Sequence, residues 1–482
     1  MRRAGAATLL AAGLAACAAG PDYRPPAFPG ASTGPFSSTS AAVDPATAPP
    51  DAWWRLYDDA TLSAYVGEAL RANVDLRAAA ANLAQARALW REANAGRYPA
   101  TQLGAGEQYG RNLIADSLAG GSHHEARNQF TDLGSVDVAY EVDLFGRVSR
   151  TIEAARADAD AVQALGDALR VAVAAETTRA YTNARSAGRE LAIARRSVAI
   201  ADEAVEIVVR QAAAGAASDF DVARVRAVAH QARAQVPPLE GRRRAALLEL
   251  AVLLGRAPAQ APTLPEQDDA PVGYLLPLPV GDGAGLLARR PDVRQAERRL
   301  AAASARIGIA TSGLYPRVTF GASVGYASNA VLKGSNAFTV GIGPLVSWTF
   351  PDQAVARARI AQADAACAAA LATFDGTVLR ALKEAEQAIV ALDTERARRV
   401  ELAAAEDEAA RAYRLSGKRS RAGSLSQLDL LTAEQSVIAA RAALAASDTR
   451  IADAEVTLFK TLGGGWRRSP ASQDSPTNES AS

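Results

Sequence analysis

The chain has 482 residues, with 53 Lys and Arg against 52 Asp and Glu, for a formal net charge of +1. That balance offers no basic surface for nucleic acid, and 2 cysteines in a chain this long exclude a disulfide-stapled scaffold. There is no Gly-Lys-Ser/Thr phosphate loop and no catalytic constellation, so an enzyme is the least expected class and energy has to come from a partner.

Arg2 and Arg3 open the chain, and Ala4 to Ala16 form an apolar stretch too short to span a bilayer. Residues 1–16 therefore have the pattern of a signal peptide that is removed. Leu14-Ala15-Ala16-Cys17 resembles a bacterial lipobox. In such signals the cysteine, here Cys17, becomes the first mature residue and carries acyl chains that anchor the protein. No other cofactor is expected. No later stretch approaches 18 apolar residues, so a membrane crossing has to be made by strands. Residues 17–50 are rich in Pro and Ser and are expected to run extended. Cys367 sits in an Ala-rich helical run and reads as a small packing residue.

From residue 51 the chain is two copies of one unit. Asn73-Val74-Asp75-Leu76-Arg77 matches Arg290-Pro291-Asp292-Val293-Arg294, and Tyr98-Pro99 matches Tyr315-Pro316, both at an offset of 217. Tyr140 pairs with Trp348, the Gly215 turn with the Gly423 turn, and Leu254-Gly255 with Leu462-Gly463, all at 208. The first copy thus holds about nine more residues between the Tyr-Pro and aromatic landmarks. The copies are placed at 51–256 and 283–466, joined by a Pro-rich linker at 257–282 and followed by a disordered tail at 467–482.

Each copy opens with a helix, at 73–96 and 291–313, which ends at Tyr-Pro because proline disfavours helix in the residue before it. The period then changes to two. Val136, Val138, Tyr140, Val142 and Leu144 share one face, and Asp137, Ala139, Glu141 and Asp143 the other. The same alternation runs through 318–327 and 338–350, and more weakly through 101–110. Four strands are predicted, at about 100–112, 130–145, 316–328 and 336–350, near the length of a tilted bilayer-spanning strand. Aromatics near the strand ends suit membrane interfaces. Gly, Ser, Thr and carboxylates on the other face suit a wet lumen, with Asp137, Glu141 and Asp143 as candidate lumen-facing carboxylates. A half-buried sheet in a soluble protein is the competing reading.

Long helices follow, at 151–211 and 219–254 in the first copy and 352–416 and 427–462 in the second, giving hairpins at 151–254 and 352–463. Pro237-Pro238 and Gly241 mark a kink or break that the second copy lacks, since Ala445 stands where Pro237 would recur. At the hairpin tips Gly215 and Gly423 supply backbone freedom. Ser218 and Ser426 are placed to N-cap the returning helices. Asp221 and Asp429 fall at the capping-box position, although Asp is short for that role. The same Asp429 could instead contribute to a ring of carboxylates narrowing a pore, and both roles stay open. Lys418, Arg419 and Arg421 precede the second tip. Four strands cannot close a barrel, and open edges are not viable in lipid. Two copies would give a barrel filled by side chains, and three would give twelve strands with room for a channel, so a homotrimer is favoured. The predicted fold is mainly α with a membrane β-barrel. His123-His124 has no third ligand in its pattern, so no metal is expected there, and His230 is expected to be structural.

The chain resembles the outer-membrane efflux lipoproteins of the NodT and OprM type, related to TolC. The residues that carry the resemblance are Cys17 with Gly20-Pro21-Asp22-Tyr23, Trp53-Trp54, the run from Glu141 to Arg147, both Tyr-Pro pairs, and Arg289-Arg290-Pro291-Asp292-Val293-Arg294. The resemblance implies a trimeric twelve-stranded barrel in the outer membrane with a helical tunnel in the periplasm. It also implies docking with a periplasmic adaptor and an inner-membrane pump, usually proton-driven, for export of drugs or other small molecules. Ala18 after the cysteine fits outer-membrane delivery. In the family the tunnel closes at the periplasmic tips, here at Gly215, Asp221, Gly423 and Asp429. An Asp and an Arg often follow the second tip, and this chain has Thr432 and Gln435 there, which implies a differently held gate. The outer duct of a type I protein-secretion system and a lipid-anchored periplasmic scaffold without a pore are the alternatives.

Overall fold

The computed structural model describes residues 18–28, 30–38, 41–110, 128–265, 273, 277–329, 332–422 and 424–465. The sequence expectations for residues 1–16, Cys17, His123, His124, Gly423 and the tail at 467–482 lie outside those residues. Two compact units emerge. The strand unit holds Asn82–Gln163 and Gln295–Asp375 with the N-terminal segment up to Pro26, and the helical unit holds Ala27–Ala81, Ala164–Arg294 and Gly376–Ser482.

In the strand unit, β1 (Ala100–Gly110), β2 (Gln129–Val142), β3 (Arg317–Ser328) and β4 (Phe338–Ser347) form one antiparallel sheet in the order β1-β2-β3-β4. The register sorts side chains by face. Leu103, Val136, Val324 and Val340 lie in one row across the strands, and Gln102, Asp137, Ser323 and Gly341 lie in the next. Directly opposed residues share a face, so the alternation of each strand adds up to one apolar and one polar surface. The apolar surface is bare: Leu103 and Val340 are each 78% exposed and Ile342 75%. A soluble sheet buries such a face, so the exposure favours lipid over the half-buried alternative. β1 and β4 are the edges, each paired on one side among the described residues.

Two strands stop earlier than the sequence suggests. β2 ends at Val142 rather than 145, because the Leu144 N–H turns back to the Val142 carbonyl at 2.8 Å and Gly146 takes a φ of +78°. β4 ends at Ser347 rather than 350, so Trp348 and Phe350 stack on each other, with centroids 4.8 Å apart, just beyond the strand.

The helices, in chain order, are α1 (Ala60–Ala72), α2 (Val74–Ala95), α3 (Arg147–Ala213), α4 (Asp219–Ala234), α5 (Val236–Leu253), α6 (Gly283–Arg289), α7 (Pro291–Ser312), α8 (Ala354–Arg421) and α9 (Gln427–Thr461). With 67 and 68 residues, α3 and α8 are longer than the sequence reading. Each runs to roughly 100 Å at 1.5 Å per residue. Part of α8 is long and apolar enough to match a membrane-crossing helix by composition, against the expectation that no such stretch exists. Its apolarity comes from alanine. The return of the first hairpin is broken rather than kinked: Gln235 separates α4 from α5, which carries proline in its first turn, where a missing N–H costs nothing. The linker and N-terminal segment are not wholly irregular, since Val43–Asp44 pairs with Leu278–Pro279 as a two-residue parallel ladder.

The core of the helical unit gathers Trp53, Leu62, Leu250, Ile389 and Phe459, with Trp53 stacked on Phe459 at 4.8 Å. The duplication is visible in its hydrogen bonds. Asn73, between α1 and α2, donates from Nδ2 to the Leu253 carbonyl at 3.1 Å, and Arg290, between α6 and α7, donates from Nη1 to the Thr461 carbonyl at 3.0 Å. Leu253 and Thr461 are equivalent positions in the repeat. Each is followed by a helix stop at a glycine with φ of +70°, Gly255 or Gly463. A Cβ on Gly255 would lie 2.6 Å from the Ala72 carbonyl oxygen, which is why the Leu-Gly landmark recurs.

Candidate functional site on the sheet face and hairpin tips

In the strand unit, Asp137 stands exposed in the middle of the polar face, in the row with Gln102, Ser323 and Gly341. Glu141 shares that face near the end of β2. It accepts from Arg147 through both oxygens, with Nε at 2.6 Å and Nη2 at 2.5 Å, and Arg317 lies 3.9 Å away. The hydrogen bonds to Glu141 raise the Arg147 pKa further. Asp143 departs from the sequence expectation. It lies past β2, and its carboxylate accepts from the Val148 and Ser149 N–H groups at 2.9 and 2.8 Å. It therefore caps the first turn of α3, where exposed donors and the helix dipole favour an anion, and it is not a strand carboxylate.

The segment after Cys17 is strapped to the same unit. The Ala19 N–H donates to the Phe145 carbonyl at 3.0 Å, and Asp22 pairs with the buried Arg150 at 2.6 Å. The Tyr23 hydroxyl donates to Glu297 at 2.5 Å. Burial and that carboxylate push the phenol well above its usual pKa. The Gly20-Pro21-Asp22-Tyr23 run was legible as a motif, but its partners on α3 and α7 were not.

At the first tip, in the helical unit, Gly215 has φ of +73°, and the Ala216 and Gly215 N–H groups close α3 onto the Gln211 and Ala212 carbonyls at 2.8 and 3.0 Å. This is a Schellman stop, for which glycine is the residue of choice. The next turn forms a reciprocal capping box. The Asp221 N–H donates to Ser218 Oγ at 3.3 Å, and the Ser218 N–H donates to Asp221 Oδ2 at 3.2 Å. Asp is thus long enough for the role the sequence doubted. The Ser218 hydroxyl and N–H, with Arg224, hold the Asp221 carboxyl below its usual range.

At the second tip the Asp429 N–H donates to Ser426 Oγ at 3.1 Å, and that hydroxyl donates back to Asp429 Oδ2 at 2.6 Å. Asp429, Thr432 and Gln435 are brought together on a cleft of about 270 Å3 with Arg224 and Val225 of α4. Arg224 was missed by the sequence reading. Its signal was the i,i+3 spacing from Asp221, to which it pairs at 3.6 Å. Ile200 and Ala204 of α3 pack on Leu431 and Ile438 of α9 nearby. Arg421 donates to the Gly417 carbonyl at 3.1 Å, a C-terminal contact within α8. His230 is exposed on α4 rather than packed, Cys367 is half-buried, and no metal-holding cluster is found among the described residues.

The family model described as "Outer membrane efflux protein" matches residues 65–256 and 285–464, the two repeats. The chain is 31% identical over 475 residues to outer membrane protein OprJ of Pseudomonas aeruginosa, covering 95% of each chain. It is 30% identical to nodulation protein T of Rhizobium leguminosarum bv. viciae, covering 96% of this chain and 93% of the relative. Among solved structures, the outer-membrane channel OprN superposes with a TM-score of 0.83 at 32% identity, over 93% of this chain and 100% of that one.

Proposed function

The chain belongs to the outer membrane efflux protein family and is an outer-membrane efflux channel; we propose that three copies form the exit duct of a three-part export pump. The observation that carries this reading is the sheet: one bare apolar face, one polar face, and edges at β1 and β4 that no strand among the described residues covers. Lipid does not tolerate unpaired strand edges. Joining β1 of one copy to β4 of the next closes a twelve-stranded barrel that is wide enough for a polar bore. Asp137 and Glu141 then line the bore, and α3 and α8 carry the conduit into the periplasm.

In this reading the tips meet a periplasmic adaptor, and a proton-driven inner-membrane pump supplies the energy for moving drugs or other small molecules. Among the relatives, one is named as a solvent efflux pump component and another as an antibiotic efflux pump component, both of Pseudomonas putida. The chain performs no catalysis. Cys17 carries acyl chains that anchor the chain, and its neighbour Ala18 lies against Gly146, just past the end of β2. Asp429 from three copies narrows the closed bore, with Thr432, Gln435 and Arg224 around it in place of an Asp-Arg latch.

The test is accumulation of a fluorescent efflux substrate in a deletion strain, with and without the gene restored. Higher accumulation reversed by the gene supports the duct. Unchanged accumulation together with loss of a secreted protein from the medium favours a secretion duct. A monomer in detergent that forms no conducting pore favours the scaffold.

A further inference from the structure

Within the strand unit, the ends of β2, β3 and β4 and the facing turns of α7 and α8 enclose an open cavity of about 910 Å3. Arg147, Arg306, Arg317 and Arg359 line it, against Glu141, Asp143 and Asp352. The three carboxylates are engaged. Glu141 holds Arg147 through both oxygens, Asp143 caps α3, and Asp352 accepts from the Ala354 N–H at 3.0 Å. Arg306 is paired with Asp158 at 2.5 Å. That leaves Arg317, 54% exposed and only loosely paired with Glu141 at 3.9 Å because Arg147 holds both oxygens of that carboxylate more closely, and Arg359, which is exposed and pairs with no described residue. The same cavity has aromatic walls. Phe145 and Tyr315 stack with centroids 4.5 Å apart, and Trp348 is fixed by its indole N–H on the Leu314 carbonyl at 3.0 Å.

One loosely paired guanidinium and one without a described partner, beside flat aromatic rings, match one ligand chemistry. A planar guanidinium recognises a carboxylate or sulfonate through paired N–H donors, and the rings accept an apolar or aromatic body. We propose that this cavity is a transient binding site for organic anions with an aromatic body, in which Arg317 and Arg359 take the anionic group and Tyr315 and Trp348 take the ring. The site makes the duct a participant in cargo selection. This deepens the export reading and rests on it, because Glu141, Arg317 and Ser347 at the cavity belong to the polar face assigned to the bore.

The test uses the full-length protein in detergent and 4-nitrobenzoate, a nitroaromatic quencher, with Trp348 fluorescence as the readout. Trp348→Phe identifies the signal. The expected result is saturable quenching that the Trp348→Phe variant loses. Neutral 4-nitrobenzyl alcohol should bind about tenfold or more weakly. Arg317→Gln and Arg359→Gln should each weaken nitrobenzoate about tenfold, the worth of one charge-assisted hydrogen bond, while Arg→Lys at either site keeps the charge but loses the paired donors and should weaken it less than Gln does. Equal quenching by the alcohol, or affinity unmoved by both Gln variants, overturns the proposal. Single-channel conductance of the same samples separates the two readings. A conducting protein that does not bind nitrobenzoate sinks the anion site alone, whereas a wild-type protein that never conducts sinks the duct.

Discussion

The two repeats run the same order of elements with different hardware at equivalent points. Where α1 meets α2, a neutral amide, Asn73, reaches the Leu253 carbonyl; where α6 meets α7, a guanidinium, Arg290, reaches Thr461 and also holds Asp292 and Glu384 at 2.6 and 2.8 Å. The first hairpin returns in two pieces, α4 and α5, and the second in one unbroken 35-residue helix, α9. The first tip has the complete capping box, whereas at the second the Ser426–Asp429 exchange goes through the hydroxyl. After duplication each copy had to satisfy the same backbone groups. What differs is the chemistry that does so, and with it how much each copy loses when a single residue is changed.

The largest effect is expected from Ala445→Pro, which introduces into α9 the proline that the first copy tolerates at a helix start. In a helix interior it removes a hydrogen bond and clashes with the preceding turn, at about 3 kcal/mol or more. Replacing Pro237 and Pro238 by Ala should leave melting within about 1 kcal/mol, because proline in a first turn removes no helical hydrogen bond. Next comes Arg290, whose side chain is only 10% exposed. Arg290→Ala takes the guanidinium from two carboxylates and a carbonyl and should cost about 2–3 kcal/mol, the worth of charge-assisted hydrogen bonds, because Asp292 and Glu384 are 37% and 40% exposed and water screens the charges left behind. Asn73→Ala, its counterpart, should cost only about 1–2 kcal/mol. Thermal melting of the two purified variants checks the difference, and equal shifts break the comparison.

A smaller contrast lies at the glycines. Gly255→Ala meets the Ala72 carbonyl oxygen at 2.6 Å, whereas Gly463→Ala meets Arg290 Cα at 3.3 Å. Both pay about 1–2 kcal/mol for the left-handed backbone, so Gly255→Ala should melt lower. The smallest effect is at the tips. Asp221 is held below its usual carboxylate range by Ser218, so its contribution is present above about pH 4, the ordinary Asp value, and is lost as pH falls through the depressed value. Limited proteolysis between Ala213 and Asp219 should therefore stay slow until below about pH 4. Ser218→Ala should shift the onset upward. An onset indifferent to Ser218 removes the capping box from the account.

Much of this was written in local chemistry. Period-two alternation marked the strands, the Tyr-Pro pairs marked helix ends, and the stops at Gly215 and at the recurring Leu-Gly pairs of Gly255 and Gly463 each need a backbone that side chains resist. The two offsets revealed the duplication without any coordinates. The signal ran out where partners are distant in sequence. Asp143 continued the alternation of β2 and so read as a strand residue, yet its oxygens are claimed by the N–H groups that open α3. Arg224 gave no sign that it shares a cleft with Asp429, Thr432 and Gln435. The pairing of Tyr23 with Glu297 and of Asp22 with Arg150 depends on how the N-terminal segment lies against α3 and α7. By itself the sequence determined the order of elements, the two faces of the sheet and the repeat, because period, proline and glycine act on neighbouring residues. Only the tertiary structure decided which charges meet, because hydrogen bonds and ion pairs form between groups the fold brings within about 3 Å, whatever their separation along the chain.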